Sequence, residues 1–192
     1  YISGSVLSND LGYPDIGLTT LTEVANRGRQ IARTTSLPAI IDADTGWGEP
    51  MNVTRTIQEF IEMGLAGCHL EDQMNPKRCG HLDNKSLVAN DDMIKKIKAA
   101  VNGKKLDSNF LIIARTDARA SEGLEKAIDR AKAYVDAGAE MIFPEALQNE
   151  KTKSTFGVEL NNYTTRLEQS WIWKELKQVR NIRPAFRFGL WL

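Results

Sequence analysis

Three groups of residues in the first 150 positions have types and spacings that could do chemistry. The first is Asp42-Ala43-Asp44-Thr45-Gly46, two carboxylates separated by one small residue. Residues i and i+2 of a strand point the same way, so both carboxylates would face one space. Such a pair, completed by water and ligand oxygens, suits an octahedral Mg²⁺ ion. Strand-end aspartates capping the following helix are the plainer alternative. Glu71-Asp72 adds acid from the next apolar run and favours the cation; Asp72 alternates to the opposite face, so Glu71 carries more weight.

The second group is Lys77-Arg78-Cys79-Gly80-His81. It gathers a thiol, a flexible glycine, two cations and an imidazole, and neighbouring cations make a thiol proton easy to share. The segment follows Asn75-Pro76 and lies beyond the carboxylates, where a lid could close over a site. An exposed basic turn with an incidental cysteine is the competing reading. The third group is Arg115, two residues before Asp117, together with Glu145. A buried arginine suits bidentate recognition of a carboxylate, although a structural ion pair with Asp117 or Glu145 fits equally. His69 reads either as a supporting hydrogen-bond partner or as a satisfied core histidine, and Cys68 as a small core residue.

The elements that must position these groups are legible from hydropathy. Four short apolar runs, 37–44, 66–72, 110–117 and 139–145, each end in charge. Near-continuous apolar character over so few residues predicts buried parallel strands. Between them, 53–63, 93–101 and 124–137 show helical periodicity, with Gly64 and Gly138 as C-terminal stops. Strands alternating with helices predict repeated βα units. Charge at the carboxyl ends of successive strands is how a (β/α)₈ barrel builds its site. An open doubly wound sheet also binds there, but no glycine-rich phosphate motif follows any of the runs. The fold class expected is therefore α/β, a (β/α)₈ barrel of the TIM type. The domain division expected is a barrel region over 1–150 and a divergent, partly helical tail over 151–192, which holds three of the four tryptophans.

Composition sets further bounds. Lysine plus arginine (25) equals aspartate plus glutamate (25), which gives no basic footprint for nucleic acid. No apolar run approaches the roughly 20 residues of a membrane span. Two differently situated cysteines, Cys68 and Cys79, predict free thiols and a reducing compartment, cytoplasmic or, for a eukaryotic source, mitochondrial. The opening Tyr1-Ile2-Ser3-Gly4-Ser5 shows no signal-peptide pattern and no initiator methionine, and points to a fragment.

The residues also carry a family resemblance. KRCGH (77–81) matches a highly specific signature of the isocitrate lyase family, and it is accompanied by YISG (1–4), PDIG (14–17), DADTGWG (42–48), HLEDQ (69–73), ARTDA (114–118) and FPEA (143–146). These blocks fall in the family's order and cover about residues 1–150. The short spacing between Gln73 and Lys77 resembles the 2-methylisocitrate lyase branch, while phosphoenolpyruvate mutases share the fold but lack the cysteine of KRCGH. The resemblance implies a Mg²⁺-dependent (or Mn²⁺-dependent) carbon–carbon lyase of the methylcitrate cycle in propionate catabolism, assembled as a homotetramer. Its substrate would be a 2-hydroxy tricarboxylate, 2-methylisocitrate, cleaved to pyruvate and succinate by retro-aldol chemistry. Isocitrate cleavage, oxaloacetate hydrolysis, and a non-catalytic remnant or partner-dependent subunit are the alternatives. In that mechanism Asp42, Asp44 and Glu71 attend the metal, and Tyr1, Ser3, Gly4, Gly80 and Arg115 contact substrate. Cys79 acts as general acid, Lys77, His81 and Arg115 offset negative charge, and Glu145 orients the hydroxyl or a catalytic water. Ser5-Val6 stands where the lyases often have glycines. Against the family's pattern the barrel is expected to be incomplete, without strand 1 and strands 7 and 8.

Overall fold

The computed structural model describes residues 1–80, 82 and 84–145; all belong to a first compact unit, Tyr1–Leu147. The expectations for His81 and for the tail over 151–192, including its missing strands, lie outside the described residues.

Among the described residues, four parallel strands make one sheet: β1 (Ile40–Asp42), β2 (Gly67–Glu71), β3 (Leu111–Thr116) and β4 (Met141–Pro144). Their spatial order is their chain order, and every neighbouring pair is parallel. A doubly wound sheet would reverse its winding part-way; this one does not, and it is an arc of a (β/α)₈ barrel. Ile2 extends the arc by bridging Ile41 in parallel, with its backbone hydrogen-bonded to Ile40 and Asp42. The strands are shorter than the apolar runs that predict them, because the runs include the turns at each end.

Each crossover carries a helix. After α1 (Gly4–Asp10) and α2 (Leu21–Ala32), helix α3 (Pro50–Glu62) joins β1 to β2 and α4 (Asn90–Gly103) joins β2 to β3. A short α5 (Ala118–Ser121) and a longer α6 (Leu124–Asp136) join β3 to β4. Local chemistry fixes the ends. Thr20 and Glu23 form a reciprocal cap on α2, and Pro50 opens α3, where its missing N–H is not needed. Gly64 and Gly138 follow α3 and α6 with φ of 79° and 107°, conformations a Cβ would strain. The two helix-to-strand joints therefore turn in the same way.

Register partners in a parallel sheet present their side chains to one face. Ile41, Cys68 and Ile112 align, as do Leu70, Ala114 and Ile142. This apolar face packs against Val53, Ile57, Phe60, Met93, Ile97 and Tyr134 of the helices. The opposite face aligns Asp42 with His69, and Glu71 with Arg115 and Phe143. The sequence thus sorts hydrocarbon to the helix side and charge to the inner side.

Candidate active site

The charged groups collect at the carboxyl ends of the strands. Asp42 is the last residue of β1, Glu71 of β2, and Arg115 is next to last in β3; Glu145 follows β4 directly. Asp44 lies past the end of β1, so strand alternation does not pair it with Asp42, contrary to the expected geometry. The chain turns through φ 44° at Asp44, and that turn returns its carboxylate to the same space. A Cβ built on Gly4 would meet Asp42 Oδ2 at 2.8 Å and Asp44 Oδ1 at 3.2 Å. Both carboxylates therefore converge beside Gly4, whose N–H donates to Asp42 Oδ2 at 3.3 Å. Gly4 begins α1 and Ser3 caps it, a helix the hydropathy pattern did not reveal.

Lys77 closes the acidic side. Its Nζ lies 2.8 Å from Asp44 Oδ1 and also bonds Asp15 Oδ1, with the lysine side chain only 3% exposed. Burial, and the neighbouring Asp42, push the Asp44 carboxyl up to about 6, while Lys77 pulls the other way. Burial likewise holds Glu71 well above the usual carboxylate range, against the attraction of Arg115. Asp15, in the PDIG block, is a partner that sequence reasoning missed; its signal was that short block, not its charge.

Arg115 is multiply engaged. Its Nε donates to Asp117 Oδ2 at 3.0 Å and its Nη2 to Asp117 Oδ1 at 3.2 Å; Nη2 also lies 3.3 Å from Glu71 Oε2 and 3.5 Å from Glu145 Oε2. The structural ion pair and the position in the mouth are both realised. Three carboxylates around one guanidinium hold it protonated and fixed.

Tyr1, His69 and Phe143 stack across the inner face. The Tyr1 and His69 rings are 5.4 Å apart and 19° from parallel, and those of His69 and Phe143 5.3 Å and 12°. Tyr1 Oη and His69 Nε2 are hydrogen-bonded at 2.5 Å. His69 is buried, and desolvation lowers its pKa, so the ring is neutral near pH 7. Its Nδ1 lies 3.6 Å from Asp42 Oδ1. That nitrogen makes no hydrogen bond, and it is the tyrosine hydroxyl itself that reaches Asp42 Oδ2, at 3.5 Å.

Cys79 is half-buried and reaches the mouth through its neighbours. Gly80 packs so closely on the mouth that a Cβ there would meet Arg115 Nη2 and Glu145 Cδ, each at 2.5 Å. Asp72 does point away, as its alternation requires. It accepts from Thr116 Oγ1, the Asp117 N–H and the Tyr134 hydroxyl, and so ties β2 to β3 and α6.

A divalent cation fits these residues. Among the described residues no preformed cage of three or more ligands exists, but Mg²⁺ needs only one or two carboxylates with water. Glu71 Oε1 is a buried oxygen with no hydrogen bond, and Asp44 Oδ1 has the Lys77 ammonium, at 2.8 Å, as its partner. An unsatisfied carboxylate oxygen beside a shared space is what a hard cation would complete.

The family model described as phosphoenolpyruvate phosphomutase matches residues 1–168. The chain belongs to the phosphoenolpyruvate mutase/isocitrate lyase superfamily. It is 63% identical over 147 residues to a protein of Corynebacterium glutamicum named probable 2-methylisocitrate lyase 2, covering 77% of this chain and 48% of that one. Among solved structures, 2,3-dimethylmalate lyase superposes with a TM-score of 0.75 at 35% identity, over 82% of this chain and 54% of that one. Phosphonopyruvate hydrolase, in a complex with oxalate and Mg²⁺, does so with 0.71 at 30%, over 80% and 53%. The chain spans about half the length of the curated relatives it matches.

Proposed function

We propose that this chain carries the cation-binding and proton-donating part of a carbon–carbon lyase site, acting on 2-methylisocitrate to give pyruvate and succinate. The observation that carries the reading is the Cys79 turn packed, through Gly80, against Arg115 and Glu145 at the strand ends. High identity to a probable 2-methylisocitrate lyase supports the substrate over isocitrate.

Asp42 and Asp44, with Glu71 behind them, would hold Mg²⁺ or Mn²⁺ directly or through water. When bound, the cation supplies Lewis acidity to the substrate hydroxyl and its neighbouring carboxylate. Tyr1, Ser3 and Gly4 line the end that becomes the 2-oxo acid, and Gly80 brings backbone close to the other end. Glu145 orients the hydroxyl. As that hydroxyl gives its proton to a water held at the mouth, its carbon becomes the carbonyl of the 2-oxo acid, the adjacent carbon–carbon bond breaks, and the electron pair of that bond stays on the succinate half. The Cys79 thiol then delivers a proton to that carbon. Lys77 and Arg115, fixed donors that need no reorientation, offset the negative charge as it develops, and His81 is assigned the same charge-offsetting role. Assembly as a homotetramer, a cytoplasmic or mitochondrial location and a role in propionate breakdown belong to the same reading.

The test offers the purified chain 2-methylisocitrate and isocitrate separately, with and without Mg²⁺. Pyruvate from the first, dependent on metal, is expected. Glyoxylate from isocitrate at an equal or greater rate would reassign the substrate, and no 2-oxo acid from either would remove the lyase reading.

A further inference from the structure

The backbone on both sides of Cys79 is pinned by buried side chains that the reaction itself does not use. On the N-terminal side, Gln73 makes two bonds to Arg78: its Nε2 donates to the Arg78 carbonyl and its Oε1 accepts the Arg78 N–H, both at 2.9 Å. On the C-terminal side, Lys85 Nζ donates to the Gly80 carbonyl at 2.5 Å and to Asp117 Oδ1 at 2.8 Å. Gln73 is 2% exposed and Lys85 8%. The residues immediately before and after the thiol are thus each tied to the strand ends, Arg78 through Gln73 beyond β2 and Gly80 through Asp117 beyond β3.

We propose that Gln73 and Lys85 are positioning residues, a two-point brace that fixes the reach of the Cys79 thiol into the mouth. The physics favours this over incidental packing. A buried ammonium is costly to desolvate, yet Lys85 directs two of its three donors at this turn and its anchor. Asp117 in turn holds Arg115 through two bonds, so one carboxylate fixes both the arginine and, through Lys85, the backbone that follows the thiol. A side-chain amide that donates to and accepts from one residue's backbone imposes an orientation as well as a distance. Proton delivery depends on such placement, and a displacement of about 1 Å costs about 10²-fold in rate. The inference rests on the reading of Cys79 as the proton donor, but its test does not.

The two cysteines make the brace measurable without turnover. Cys68 is buried in the core and reports global opening; Cys79 reports its own turn. Alkylation by iodoacetamide is followed for each cysteine by mass spectrometry. The plateau of each rate against pH is compared, so that a change in thiol ionisation does not mimic a change in access. Lys85→Met and Gln73→Leu are each expected to raise the Cys79 plateau rate by roughly tenfold or more, the scale of a lost buried hydrogen bond to a charged or paired group. Cys68 is expected to stay protected. Unchanged Cys79 rates in variants that protect Cys68 would overturn the brace. So would opening of both cysteines together in both variants, since the two side chains would then hold the whole fold and not this turn. In a chain that turns substrate over, either variant is expected to lower kcat with little change in KM. A brace found in an inactive chain would stand while the lyase reading fell; unchanged thiol rates in an active chain would do the reverse.

Discussion

Gly80 and Arg115 are in contact so close that a Cβ on the glycine would come within 2.5 Å of a guanidinium nitrogen. The other wall of that contact is the side chain of Glu145, and Arg115 is itself clamped by Asp117. Arg115 is held by its two Asp117 bonds, so Gly80→Ala is expected to lift the turn that carries Cys79. The expected outcome is a stability loss of about 1–3 kcal/mol in urea, as for other overpacked sites. If the chain is a lyase, kcat/KM falls by about 10²-fold or more, because the thiol is displaced from its reach.

Lys77→Ala leaves the Asp44 carboxylate buried beside Asp42 without its cation. Removing one partner of a buried pair costs about 3–5 kcal/mol. Asp44 has an escape, since it already holds its proton up to about 6. Urea unfolding of the variant should show the full loss near neutral pH and a clearly smaller loss below about pH 5, where Asp44 is protonated in either protein. An equal loss at both values would mean that the Asp44 pair contributes none of it, leaving the Asp15 pair and packing.

Asp44 also sets a pH dependence for the cation. Its folded pKa, about 6, lies above that of an unfolded aspartate, near ~3.9. Between those values the folded chain binds the extra proton, so this group favours folding at the acid end and that contribution is lost as pH rises to about 6. A divalent cation needs the carboxylate and works in the opposite direction. Millimolar Mg²⁺ should raise Tm more at about pH 7.5 than at about pH 5. Asp44→Asn should remove most of that difference.

How much of this could be read from the sequence differs from residue to residue. Apolar runs ending in charge located all four strands and, through register, the charged inner face, because strand burial writes directly into hydropathy. The parallel winding order followed from the alternation of strands and helices. Asp42 and Asp44 were correctly brought together, but for the wrong local reason: a left-handed turn converges them, and no periodicity encodes it. Gln73, Lys85 and Asp15 were missed for a common cause. Their partners are the Arg78 and Gly80 backbone and Lys77. Contacts to backbone and contacts across loops leave no spacing rule in a single sequence. Helix α1 escaped notice because its seven residues include a glycine and no apolar stripe.

Asp72 and Glu71 are adjacent acids with opposite duties, and Tyr134→Phe separates them. The variant removes one of the donors to Asp72 while Thr116 and the Asp117 N–H remain. The hydroxyl also accepts from Arg130 Nη1, so a loss of about 1–3 kcal/mol is expected, the net value of two hydrogen bonds. Cys79 alkylation and Mg²⁺ stabilisation should stay as in the parent chain. A change in either would place Asp72 within the working site.

The most direct test of the central claim is pyruvate release from 2-methylisocitrate by Cys79→Ser beside the parent chain, with the Mg²⁺-induced rise in Tm recorded for both. The expected result is metal-dependent release by the parent, loss of about 10²–10⁴-fold in the variant, and an unchanged Mg²⁺ response, because the thiol donates a proton and holds no metal. Release by Cys79→Ser at the parent's rate would contradict that assignment of the proton donor.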